Sequence, residues 1–225
     1  MKKVAIILLT GILFVSCEKD QNSVLLTFQG VNNVMKSVVT ESSQHVVIED
    51  FKLSIRDVEF KKDESHLDSL EVEFRGPFDL DLASPQDALS QTIGSAEVEP
   101  GLYKVLRFKL HKSRDRDMSH ELYDRSLYIA GTIDGVPFEF WHDTSENLDV
   151  EHGSGIQVAE GQVNVTVQFR MDQFLSSLYS IDLAQAVDED GDGLIEINPD
   201  NDDDNGGMAD QLKENIKLAA DLIKE

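Results

Sequence analysis

The chain has one cysteine, Cys17, in 225 residues. No intramolecular disulfide can form, so stability has to come from a packed core. Positive charge is scarce: Lys and Arg number 20 against 43 Asp and Glu, a formal net charge of −23. A surface of that sign repels phosphate backbones, which argues against nucleic acid as a partner, and it attracts cations. No apolar run reaches the ~20 residues that a membrane-spanning helix needs. No repeat of fixed period is visible. No GxSxG nucleophile elbow accompanies the HGSG stretch at His152, so a serine hydrolase has no support there. What the chain does have is 40% hydrophobic residues in regular alternation, which argues against general disorder.

Residues 1–17 read MKKVAIILLTGILFVSC. Lys2 and Lys3 form a positive start, and an apolar stretch follows that suits a signal peptide. Small Ser16 precedes Cys17. The order apolar, apolar, small, Cys resembles a bacterial lipobox, with Phe14 where Leu is more usual. The resemblance implies cleavage before Cys17, acylation of that cysteine (the palmitate type of modification) and a place on the outer membrane in the cell envelope. Residues 18–23 are polar and read as a tether. Glu18-Lys19-Asp20 resembles the surface-export signal of Bacteroidota lipoproteins and implies exposure at the cell surface.

From residue 24 to 170 the period is two. Val24 to Phe28 forms a first run. Phe51, Leu53 and Ile55 alternate, then Val58 and Phe60 continue out of phase, which predicts a bulge near Arg56-Asp57. Leu70, Val72 and Phe74 precede Gly76-Pro77, and Phe78, Leu80 and Leu82 follow it. Residues 84–99 are looser and suggest a short helical turn. Leu106, Phe108 and Leu110 share one strand face. Asp134-Gly135 between two β-rich runs predicts a hairpin, and Pro137 predicts an edge strand. Val163, Val165, Val167 and Phe169 form a last strand. The expected fold is mainly β: an antiparallel β-sandwich of immunoglobulin or transthyretin type with short C-terminal helices around an acidic loop. The strand arrangement, including PGLYKVLRFKL after a loop, resembles β-sandwich domains of Bacteroidota-type surface lipoproteins and implies no activity.

Residues 171–225 read as a helical appendage around the acidic stretch 188–206, DEDGDGLIEINPDNDDDNG. Asp188, Asp190 and Asp192 stand at alternate positions and Gly193 follows. Ca²⁺ takes six to eight hard oxygens, and alternate carboxylates on a tightly turning backbone converge on one point. The Leu194 carbonyl and the Glu196 carboxylate fit the next two ligand positions, with Ile195 pointing into the body. This resembles the DxDxDG class of EF-hand-like calcium loops. It departs from an EF-hand at Pro199, where the family pattern has a bidentate Glu; Asp200 comes one place late, and Pro199 blocks a helix start. Asp200, Asp202 and Asp204 either close this site, form a second one, or stay solvated. Beyond the loop, residues 208–225 read as one amphipathic helix on Leu212, Ile216, Ala219 and Ile223.

A transition-metal alternative is His142 and His152, which bracket an acidic segment. The basic run from Lys104 to Arg116 reads as charge balance or a docking surface. The expected function is a lipid-anchored extracytoplasmic calcium-binding β-sandwich module, not an enzyme, with a binding or structural role at the envelope. The expected calcium is structural, and a protein or glycan partner is left open. The alternatives are a surface hydrolase of glycans or peptides with structural calcium, and a metal-handling lipoprotein.

Overall fold

In the computed structural model, residues 22–31, 38–39, 45–62, 72–84, 89–175 and 181–224 are described. Cys17 and the N-terminal stretch expected as a signal peptide lie outside them. The described chain is mainly β and forms two mixed sheets that do not close.

The first sheet holds β1 (Ser23–Val31), β6 (Ser90–Glu97), β11 (Gln162–Arg170) and β13 (Ala220–Lys224) in the order β13-β11-β1-β6. The second contains β2 (Val38–Val39), β3 (His45–Lys61), β4 (Val72–Phe74), β5 (Phe78–Ala83), β7 (Gly101–Leu110), β8 (Leu127–Ile133), β9 (Val136–His142), β10 (Asn147–Val158) and β12 (Ile195–Ile197). Its main path is β10-β7-β3-β8-β9-β12, and β2, β4 and β5 also pair with β3. The expectation of a wholly antiparallel sandwich is corrected at two pairs: β1 runs parallel to β11, and β12 runs parallel to β9.

β3 is the strand on which the second sheet is built. Its first half pairs with β8 and its second half with β7. The phase change between Ile55 and Val58 is a bulge: the register slips between Arg56 and Val58, and Asp57 sits at φ 46°. One extra residue there returns Phe51, Leu53, Ile55, Val58 and Phe60 to the same buried side. The two sheets meet through aromatic rings. Phe28 of β1 and Phe169 of β11 pack on Phe108 of β7 with centroids 5.5 and 6.1 Å apart, and Phe169 reaches Phe51 of β3 at 5.6 Å. Edge-to-face pairs of this kind add about 0.5–1.5 kcal/mol each beyond their burial.

The hairpin at Asp134-Gly135 forms as its dipeptide predicts. Both residues have positive φ, 52° and 86°, and Ile133 faces Val136. Pro137 does not mark an edge strand. β12 flanks β9 from Phe138 onward, and Pro137, with no N–H to give, stands just before that ladder. Residues 84–99 carry the strand β6 rather than a helical turn within the described part. The acidic segment bracketed by His142 and His152 is expected as a loop, but from Asn147 onward it belongs to the strand β10. Leu148, Val150, Ile156 and Val158 are buried, and the bulge between Glu151 and Ile156 hides their period.

The C-terminal region is woven into both sheets. After α1 (Met171–Phe174) and a 3-10 turn at Leu183–Gln185, β12 joins the second sheet. The helix α2 (Gly206–Ala219) follows, burying Ala209, Leu212, Asn215, Ile216 and Ala219. The expected helix to the C-terminus is corrected at Ala220: from there β13 pairs antiparallel with β11, Leu222 opposite Val167. Among the described residues no helix is long and apolar enough to cross a membrane.

Candidate metal centre

The acidic loop is folded by its own carboxylates accepting backbone N–H groups. Asp188 Oδ1 accepts from Gly191 at 2.7 Å and Oδ2 from Gly193 at 2.9 Å. Asp190 Oδ1 accepts from Asp192 at 3.0 Å, and Asp192 Oδ1 from Leu194 at 2.8 Å. Each short side chain bends the chain back over itself. Gly191 and Gly193 take φ of 75° and 93°, which favours glycine at both places. Ile195 and Ile197 are buried and anchor the loop's exit on β9, as the position of Ile195 predicts.

The second half of the loop supplies the central group. Asp203 is buried, with Oδ1 accepting the Glu189 N–H at 3.0 Å and Oδ2 the Glu196 N–H at 2.8 Å. The Asp190 N–H also lies 3.5 Å from Oδ1. Oxygens of Asp188, Asp190 and Asp203 lie within 4.8 Å of one another. Calcium–oxygen bonds of about 2.3–2.6 Å place ligands across one ion up to about 5 Å apart, so the three fit around one cation. This is the one set of three or more His, Cys, Asp or Glu groups so close together among the described residues.

Of the expected ligands, the fold brings Asp188 and Asp190 together and puts Asp203 beside them in place of Asp200, which is exposed. The reason is the turn at residues 198–201. Buried Asn198 accepts the Asn201 N–H at 3.0 Å, and Asn201 takes φ 65°. That turn points Asp200 outward and Asp203 inward. Asp192 and Glu196 stand outside the tight set. The Glu196 carboxyl is held above its usual value by burial, then by the charges of Asp202, Asp203, Asp192 and Glu139. Its neighbour across the parallel ladder is Glu139, another carboxylate. Leu194 is half-buried after the Asp192 turn.

Two further residues hold the loop that the spacing of acids does not reveal. Asn205, the residue before α2, is buried. Its Nδ2 donates to the carbonyls of Val187 and Glu196, both at 2.8 Å, and its Oδ1 accepts the Val187 N–H at 3.2 Å. It therefore clamps the start and middle of the loop to the helix. Asn201 Oδ1 accepts the Gly206 N–H at 2.5 Å, which ties the same turn to the first helical residue.

The histidine alternative does not assemble. His142 is buried, with Nδ1 accepting the Thr144 N–H at 3.1 Å and Nε2 3.5 Å from Asp210 Oδ1. His152 lies in the β10 bulge beside Ser154, and neither enters a set of three ligands among the described residues. Four members of the basic run are answered by acids. Arg107 grips Asp149 with two bonds of 2.5 and 2.6 Å, Arg116 meets Asp79 at 2.6 Å, Arg114 meets Asp124 at 2.9 Å, and Lys112 meets Asp143. No family model, curated protein or solved structure matches the chain.

Proposed function

We propose that the protein is a lipid-anchored, extracytoplasmic β-sandwich that binds Ca²⁺ in the loop 188–206 and serves as a binding or structural module at the cell envelope. The observation that carries the calcium reading is Asp203: a buried carboxylate from the far half of the loop stands beside Asp188 and Asp190. All three are hard oxygen donors, the class that Ca²⁺ takes. The set joins Asp188 and Asp190, which precede β12, to Asp203, which stands between β12 and α2, so the ion's role is structural: it joins the sandwich to its last helix and strand. The remaining ligand positions fall to the Leu194 carbonyl, Glu196 and water. The anchor reading rests on the lipobox-like order at Cys17 alone.

Two measurements test the two halves separately. Calorimetric titration of the mature protein with calcium is expected to give about one ion per chain, with magnesium weaker because it demands tighter octahedral geometry. No binding heat and no terbium luminescence would remove the calcium reading. Metabolic labelling with a palmitate analogue is expected to mark the membrane fraction of the wild type and to be lost in Cys17→Ser. Equal labelling of both would remove the anchor.

A further inference from the structure

The two ends of the body differ in charge, and the strand register shows how far apart they lie. Where the chain enters the described body, Ser23 pairs with both Glu97 and Gln162. The turns leading from Glu97 to Gly101 and from Val158 to Gln162 close that same end, because Val158 pairs with Gly101. Lys61 lies opposite Val105, a short way along β7. β3 then runs back to Ile48, which faces Gly131; Gly131 faces Phe138, and Phe138 faces Ile195 at the exit of the acidic loop. This path is about fifteen strand rises, roughly 50 Å at the usual rise per residue. The acidic loop and the Asp134-Gly135 turn therefore occupy the end opposite Ser23.

At the entry end, Lys61, Lys62, Lys104 and Lys224 offset Glu97, Glu99, Glu151 and Glu160; Glu151 and Lys61 flank Val105, and Lys62 pairs with Glu99 at 3.1 Å. Residues 63–71, which carry four further acids, lie outside the described residues. At the opposite end, residues 188–204 alone carry nine carboxylates and no Lys or Arg. One bound Ca²⁺ would cancel two of those charges and leave most of them.

We propose that the anchored protein stands with its entry end on an anionic headgroup surface and holds the acidic loop away from it. This rests on the lipid-anchored reading of Cys17. From Cys17 to Asn22 the chain can reach at most about 18 Å, which limits the height of the entry end but not the tilt of the body. Tilt is set by charge. Tipping would carry the acidic end into a negative surface potential that acts within about a Debye length, and the repulsion restores the upright pose. The loop is thereby offered to the exterior rather than to the lipid.

The test uses the whole mature chain, coupled through Cys17, its one cysteine, to a maleimide lipid in vesicles that carry an acceptor dye. A donor dye is placed through a clickable amino acid at Glu160, at the entry end, or at Val136, 40% exposed at the opposite end. On anionic vesicles, energy transfer is expected to be high from position 160 and several-fold lower from 136, in EDTA and in calcium alike. On neutral vesicles the value from 136 is expected to rise. Equal transfer from both positions on anionic vesicles would overturn the proposal. So would a value at 136 that ignores lipid charge, or one that climbs on adding calcium because the ion bridges loop and headgroups. The coupling is chemical, so a failure of acylation in cells shows separately, as an unmodified Cys17 in the labelling experiment above.

Discussion

Asp203 does two jobs with one carboxylate: it accepts the N–H groups of Glu189 and Glu196 and stands beside Asp188 and Asp190. Asp203→Asn keeps the shape and withdraws the charge. Calcium affinity is expected to fall by about tenfold or more, the scale seen when groups supporting a metal site are changed, while Asp200→Asn leaves it unchanged; titration calorimetry of the two variants checks both. If Asp200→Asn proves the damaging change, the inward turn at Asn198 and Asn201 is wrong. Asp188 and Asp190 are legible in the sequence because alternate carboxylates before a glycine have one geometric consequence. Asp203 is not, because its direction depends on a turn that Asn198 and Asn201 make with the backbone, and nothing in the spacing of acids records it. Asp57 is the opposite case. Its phase slip is visible in the order of apolar residues, and its φ of 46° follows. Asp57→Val is expected to cost about 1–2 kcal/mol, the penalty of a side chain forced into left-handed backbone, and Asp57→Gly to cost nothing. Urea denaturation of both variants measures the difference.

The element that shows most about what sequence leaves out is α2. Leu212, Ile216 and Ala219 are legible as a buried stripe, and the same period carries on to Ile223. Yet the helix ends at Ala219, because β11 has an open side and pairing with it satisfies a row of backbone groups that a longer helix would leave bare. Local periodicity cannot see that vacant edge. β10 was hidden by a bulge for a similar reason: pairing with β7 tolerates the interruption at His152 to Gly155, while the alternation does not. The helix is fastened to the β9–β10 connection by Glu146, which accepts from Lys213 at 3.0 Å and Lys217 at 2.9 Å. Hydrogen bonds from Lys217 and then Lys213 hold its carboxyl at about 2, against 4.5 ordinarily. A lowered folded-state value means that the fastening is fully present above pH 4.5 and is lost as pH falls through 2. Glu146→Gln is therefore expected to lower the denaturation midpoint at pH 7 by a modest amount, since the group is partly solvated and screened. That difference from wild type is expected to shrink between pH 4.5 and 2. A gap that stays constant over that range would show that the two lysines contribute nothing to docking.

At the scale of the whole molecule, the acidic loop is not an attachment to a finished sandwich. It enters from the first sheet through β11 and α1, gives β12 to the second sheet, and returns through α2 to place β13 on β11. An ion bound in such a loop would tie together chain that gives strands to both sheets, so binding is expected to couple to global unfolding rather than to local fraying. The consequence is quantitative. Calcium at ten times its dissociation constant adds about 1.4 kcal/mol by linkage, and for a domain of this size that raises the thermal midpoint by about 3–6 °C. The melt is expected to remain a single transition with and without the ion. Removing residues 220–225 deletes Leu222 from the core and bares the edge of β11, including the backbone beside Val167 and Phe169. That truncation is expected to lower the midpoint far more than EDTA does, and to broaden the transition, even though it touches no carboxylate of the loop. Circular dichroism melts of the intact and shortened chains, each in EDTA and in millimolar calcium, read all of this at once. Two separated transitions in the intact protein would mean that the loop and last helix form an independent unit after all. Equal midpoints in EDTA and saturating calcium would mean that the ion, if bound, binds folded and unfolded chain alike, and its structural role would have to be given up.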